Sequence, residues 1–139
     1  MQRREAREEI LKALYGSEFK AGKNDSIDDR LVENDPGEQE PFVREMYQGT
    51  LDQKEEIDRM ISEFAVGWEV DRLAFLDRNI LRMALYELLY YEDTPAEVVM
   101  NEAIELAKEY GTENAPKFIN GILDKIWKER QDTEGELSS

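Results

Sequence analysis

The sequence contains no cysteine and no histidine. The first absence removes disulfides and thiolate chemistry, and the second removes the commonest general base near neutral pH and the commonest zinc ligand. Most hydrolytic and zinc-dependent reactions are excluded. Also missing are an apolar run of the ~18 residues needed to cross a bilayer, a glycine-rich phosphate loop, a G-x-S-x-G elbow and any internal repeat. The opening residues MQRREAREE are charged where a signal peptide would turn apolar. The expected location is the cytoplasm.

Cations are scarce as well, 18 Lys and Arg against 33 Asp and Glu, for a formal charge of −15. An excess of that sign argues against broad nucleic-acid binding, because phosphate contacts need cations and the field of the whole slows the approach of RNA. The distribution is uneven, however. Asp25, Asp28, Asp29, Glu33, Asp35, Glu38 and Glu40 crowd one stretch opposed only by Lys23 and Arg30, and Asp132, Glu134 and Glu136 load the end of the chain. Arg3, Arg4 and Arg7 gather near the start. A locally basic site on an acidic body is compatible with these numbers.

What is present is helical periodicity, over a length of 139 residues that suits one domain with its own core. Asp77 to Tyr91, DRNILRMALYELLYY, places Ile80, Leu81, Met83, Ala84, Leu85, Leu88 and Leu89 around nearly the whole circumference of a helix. That is the pattern of an interior helix, so others must surround it. Its polar residues, Asp77, Arg78, Arg82, Tyr86 and Glu87, are expected to reach solvent where the helix surfaces.

From Arg3 to Phe19, Ala6, Ile10, Leu11, Ala13 and Leu14 make an amphipathic stripe. Residues 21–40 read as an acidic connection in which Ile27, Leu31 and Val32 form one turn touching the core. Pro41 opens a single long helix that keeps its period to Gly67, and Trp68, Val70, Leu73, Phe75 and Leu76 form a short apolar segment, with Trp68 in the core. Thr94-Pro95-Ala96-Glu97 reads as a capping box whose helix ends at a left-handed Gly111. Asn114 caps the last helix, and Gly121 within it implies close packing against a neighbour. Residues 1–131 then form the domain, and 132–139 an acidic disordered tail. The fold class is all-α, with about seven helices.

The carboxylates offer no metal site. The acidic connection lacks the register of a calcium loop, and Glu102 and Glu105 lack the Glu-x-x-His of a di-iron bundle. No catalytic residue, metal or cofactor is expected. On a helical wheel Arg4, Arg7 and Tyr15 share one flank of the first helix, a grouping that suits single-stranded RNA, where guanidinium groups meet phosphates and a ring stacks on an unpaired base. Arginine near a helix N-terminus opposes the macrodipole, at ~0.3–1 kcal/mol per charge. The same residues also fit a solvated helix start with Arg4 paired to Glu8.

RREAR followed by ALY near the start, LDRNILRMALYEL in the middle and TPAEVVMNEAIELAKEYG with KFINGILDKI at the end resemble the NusB family of bacterial transcription antitermination factors. The resemblance covers both ends and the centre but not residues 20–66, where only the helical pattern agrees. It implies a non-enzymatic RNA-binding protein of two helical subdomains. It further implies pairing with a small ribosomal-subunit protein, NusE, to bind boxA RNA of ribosomal-RNA leader transcripts, and delivery to the RNA polymerase antitermination complex. Carried over, the RNA contacts fall on Arg3, Arg4, Arg7, Tyr15, Lys117 and Phe118, and a contact to the ribosomal protein falls on Asp77. The alternative is a helical adaptor that binds only protein, as the charge favours. Whether the free protein is a monomer or a homodimer stays open.

Overall fold

The computed structural model describes residues 1–19, 27–65 and 69–138, with side chains as far as residue 134. Seven α-helices span the described residues: α1 (Arg3–Ser17), α2 (Ile27–Glu33), α3 (Glu40–Asp52), α4 (Lys54–Phe64), α5 (Phe75–Leu89), α6 (Ala96–Tyr110) and α7 (Ala115–Ser138). Two single turns of 3-10 helix, Gly37–Gln39 and Val70–Arg72, lead into α3 and α5. Helix α5 packs against α1, α3, α4, α6 and α7. Around it α1, α2 and α3 pack on one another, as α7 does on α4 and α6. The central helix is the one the sequence pattern predicts, and the two groups are the helical subdomains that the resemblance implies.

Eleven residues of α5 are buried, among them Asp77, Asn79, Arg82 and Glu87. The expectation that its polar groups escape to solvent is therefore wrong for Asp77, Arg82 and Glu87, and Asn79 joins them inside. They stay inside because each finds a partner on another element or on its own backbone, and no buried side-chain nitrogen or oxygen among the described residues lacks a hydrogen bond.

The single long helix expected from Pro41 to Gly67 is two helices. Gln53, at φ −98° and ψ 9°, leaves helical geometry between α3 and α4. Just before the break the Thr50 hydroxyl donates to the Met46 carbonyl at 2.6 Å, a back-bond of the kind that bends helices. The bend lets Phe42, Val43 and Met46 of α3 face α1 and α5, while Ile57 and Ile61 of α4 turn toward α5 and α7. One straight rod offers no such pair of directions. Trp68 lies outside the described residues, as does most of the connection before α2. The turn expected at Ile27 to Val32 is a two-turn helix with Leu31 buried.

Local expectations for α6 and α7 are corrected as well. Helix α6 starts after Pro95, whose carbonyl accepts from Val98 and Val99, and no side chain caps it, so the Thr94 capping box does not form. Gly111 is extended, φ −86° and ψ 175°, not left-handed. Its need for glycine is spatial: a Cβ there would sit 2.8 Å from the Ala107 carbonyl oxygen, the Ala115 Cβ and Asp77 Oδ1 alike. Gly121 has nothing within 4 Å of the place a Cβ would take, so it packs against no neighbour. Helix α7 itself continues to Ser138, past the point where the sequence suggests a disordered tail, with an Arg130–Glu134 pair one turn apart at 3.2 Å.

The two glycines are expected to respond oppositely. Gly111→Ala should lose about 1–3 kcal/mol, the cost of overpacking, whereas Gly121→Ala should gain about 0.5–1 kcal/mol by removing helix-interior glycine. Urea denaturation midpoints check both signs.

Candidate functional site

The run of α5 against its neighbours gives the molecule two ends. Arg7 near the start of α1 meets Glu87 near the end of α5, while Glu18 beyond the end of α1 meets Arg78 near the start of α5. The two helices are antiparallel. Helix α6 runs alongside α1 in the same direction, since Arg4 pairs with Glu102 and Glu8 accepts from the Tyr110 hydroxyl at 2.7 Å.

Arg3, Arg4 and Arg7 stand at the first end, but they are not equivalent. Arg7 is 4% exposed and donates through Nε and Nη2 to both oxygens of Glu87, at 3.0 and 2.6 Å. It is a core residue. Two of its five N–H donors are spent on Glu87, and it lines a recess together with Arg3, Arg4 and Glu102, so what it presents there is small beside the exposed Arg4. Arg3 hydrogen-bonds Gln39 and lies over the Phe42 ring, 3.9 Å from its centroid. Arg4 is exposed and forms a two-point pair with Glu102 at 3.0 and 3.2 Å. Its partner is thus Glu102 and not the Glu8 suggested by helical spacing.

Tyr15 lies at the second end. Eleven residues separate it from Arg4, which at 100° and 1.5 Å per residue returns it to within about 20° of the same face and about 16 Å along the axis. Between them the surface is acidic. The groove where α1 meets α6 is lined by Glu8, Glu102, Glu105 and Glu109, against Arg4 and Lys108. The structure therefore does not bring the arginines and the tyrosine into one compact corner.

At the second end the structure does bring several expected residues together. A cavity of about 310 Å³ is lined by Arg72, Leu73, Ala74, Asp77, Thr112, Asn114, Ala115 and Phe118, and its walls are mainly apolar. Phe118 is half-buried there, and Lys117 beside it is exposed and forms no ion pair among the described residues. Asp77 is buried, accepting from the Thr112 backbone N–H at 3.0 Å and the Thr112 hydroxyl at 2.7 Å. Its carboxylate fastens the α6–α7 turn to α5 and forms part of the cavity lining.

Next to the cavity Tyr15, Phe19 and Phe75 form an exposed ring cluster, with Tyr15–Phe19 centroids 4.9 Å apart and Phe19–Phe75 centroids 5.1 Å apart. Sequence reasoning counted Phe75 as part of an apolar segment entering the core and gave Phe19 no role. The i, i+4 spacing of Tyr15 and Phe19 was the available signal. Nothing local marked Phe75, which joins them across α1 and α5.

Behind the rings lies a charge network that was also missed. Glu18 accepts from Arg78 Nε at 2.9 Å, Asn79 Nδ2 at 2.7 Å and Arg82 Nη1 at 3.1 Å, and Arg82 also grips both oxygens of Asp58, at 2.8 and 2.9 Å. Burial alone would push the Glu18 carboxyl up, but these hydrogen bonds and the arginine charge outweigh it and hold the group below the ordinary glutamate value of 4.5. Tyr110 moves the other way, pushed up by burial and by its bond to Glu8. Among the described residues no group of acidic side chains is arranged to hold a metal ion, and no helix is long and apolar enough to cross a membrane.

Two tests follow from these pairs. Arg7→Ala is expected to cost about 3–5 kcal/mol by stranding Glu87, and Arg7→Met combined with Glu87→Leu to recover most of that loss; thermal and urea unfolding measure both. Glu18 has a folded pKa below its unfolded one, so its pairing stabilises fully above the ordinary glutamate range and fades as pH falls through the lowered value. Glu18→Gln should cost about 1–3 kcal/mol at neutral pH and should flatten the decline of the urea midpoint in acid.

The sequence and the helical fold recur in known proteins. The family model described as "NusB family" matches residues 4–128. The transcription antitermination protein NusB of Bacillus pumilus (strain SAFR-032) is 46% identical over 127 residues, covering 91% of this chain and 95% of that one. Among solved structures, T. maritima NusB superposes with a TM-score of 0.81 at 41% identity, covering 93% of this chain and 92% of that one. A crystal structure of antitermination factors NusB and NusE in complex with double-stranded RNA gives a TM-score of 0.71 at 27% identity, covering 91% of this chain and 96% of the matched one. A family model matched over residues 4–128, a relative 46% identical over nine tenths of the chain and the same helical frame lead to one conclusion: this chain belongs to the NusB family.

Proposed function

We propose that the chain is a transcription antitermination factor of the cytoplasm that binds boxA RNA of ribosomal-RNA leader transcripts together with the ribosomal protein NusE and joins the RNA polymerase antitermination complex. It is not an enzyme, and its work is recognition. The observation that carries the reading is the second end of the molecule: Phe118 lines a mainly apolar cavity, exposed Tyr15 belongs to a ring cluster whose Phe75 follows the cavity-lining Ala74, and Lys117, next to Phe118 in sequence, is exposed. Rings and an apolar recess suit unpaired bases, and a cation suits the linking phosphate.

Arg3 and Arg4 at the first end supply further phosphate contacts, with Arg4 exchanging Glu102 for RNA. Arg7 supports them from beneath through Glu87. Asp77 contributes to partner recognition through the turn it fastens. Because Glu8, Glu102, Glu105 and Glu109 lie between the two ends, the chain alone should hold RNA weakly. A basic ribosomal protein adds the missing cations and offsets that repulsion.

The carboxylate groove and the Arg4–Glu102 pair equally favour an adaptor that binds protein alone. A titration separates the two readings. Labelled boxA RNA should bind in the presence of NusE, with log K falling against log salt at a slope near −2 if Arg3, Arg4 and Lys117 meet three phosphates at about −0.7 each. Replacing any one by Ala should shallow the slope by about 0.7. Binding to NusE with no RNA binding in the mixture would favour the adaptor.

A further inference from the structure

We propose that Phe19 and Phe75 are RNA-stacking residues that complete, with Tyr15, a cradle for unpaired bases, and that Arg78 is the positioning residue that holds it. The inference rests on the RNA-binding reading above. Tyr15, Phe19 and Phe75 are 38, 41 and 42% exposed, and they lie in contact with one another instead of being scattered over the surface. Isolated exposed rings need no explanation, whereas three together mark a binding surface.

The geometry favours planar occupants. The rings are inclined to each other by 58°, 63° and 83°, so they form walls at angles and not one flat table. Splayed single-stranded bases can lie on the outward faces of such rings, each at its own angle, and a continuous duplex stack cannot. The Arg78 guanidinium lies 4.3 Å from the Phe75 centroid with its charge met by Glu18, so it backs one face of that ring and leaves the outward face for a base.

Arg78 fixes the cluster from behind. It covers one side of Phe75 and at the same time donates to Glu18, which immediately precedes Phe19. Asn79 and Arg82 secure the same carboxylate, so both phenyl rings are tied to one polar clasp between α1 and α5. A side chain held this way loses little freedom when a base arrives.

The test uses the full chain with NusE and a fluorescein-labelled single-stranded boxA RNA, read by anisotropy, beside a binary titration of NusE alone. Phe75→Leu and Phe19→Leu keep apolar bulk, and each is expected to weaken RNA binding about tenfold or more, the size of one lost base stack, without changing NusE affinity. Arg78→Met should weaken RNA binding in the parent and cost less when added to Phe75→Leu, the non-additivity of a residue acting through the rings. In the unmodified protein, 2-aminopurine placed in turn along the RNA should be quenched at one or more positions, and those positions should regain fluorescence with Phe75→Leu. Parent-like RNA affinity in both leucine variants, absence of quenching at every position, or loss of NusE affinity with RNA affinity retained overturns the proposal. Failure of the parent to bind RNA with NusE present is a different result, which removes the RNA-binding reading itself and this inference with it.

Discussion

Charge pairing inside an apolar frame is the constraint on which the rest of the structure depends. Helix α5 is enclosed by five other helices yet carries Arg82 and Glu87 at 3% and 2% exposure. Left single, either group would be prohibitively costly to bury. Each is met by a partner from a different element: Arg7 of α1 for Glu87, and Asp58 of α4 for Arg82, with Glu18 bridging Arg82 to Arg78. Apolar contacts tolerate sliding and rotation far better than two-point ion pairs do. We therefore assign these pairs the task of setting the register of α1 and α4 on the central helix, while the aliphatic core supplies most of the driving force for folding.

That register decides where the recognition groups fall. Because α1 is pinned at both ends, by Arg7 near the start and Glu18 just past its end, the exposed side chains between them have fixed bearings. Tyr15 is delivered to Phe75, and Asp77 draws the α6–α7 turn inward so that Phe118 borders the same region. Buried ionic contacts and surface rings are thus successive layers of one arrangement.

The sequence made the helices legible because apolar spacing is a local signal. The enclosed character of α5 could be read from Ile80, Leu81, Leu85 and Leu88 alone. Breaks were harder: α3 and α4 share one uninterrupted apolar period, and the departure at Gln53 reflects which neighbours each half meets. Gly111 and Gly121 show the same limit from two sides, since the letter is identical while one sits in a crowded turn and the other beside open space. For the candidate site, Arg3, Arg4, Tyr15, Lys117 and Phe118 were legible as residue types, but their distribution over two ends was not. The role of Arg7 depended on Glu87, eighty positions away in the chain, and Phe75 became visible as a surface ring only once α1 and α5 were set side by side.

The carboxylate-lined groove between α1 and α6 has an effect beyond weakening the grip on RNA. A cell holds an enormous excess of polyanion, and a cationic protein would be retained on most of it. With a formal charge of −15 such indiscriminate contact is penalised, so under the proposed function residence would turn on a match at the ring-bearing end and on a partner that supplies cations. Poor adhesiveness in isolation would then be the source of discrimination.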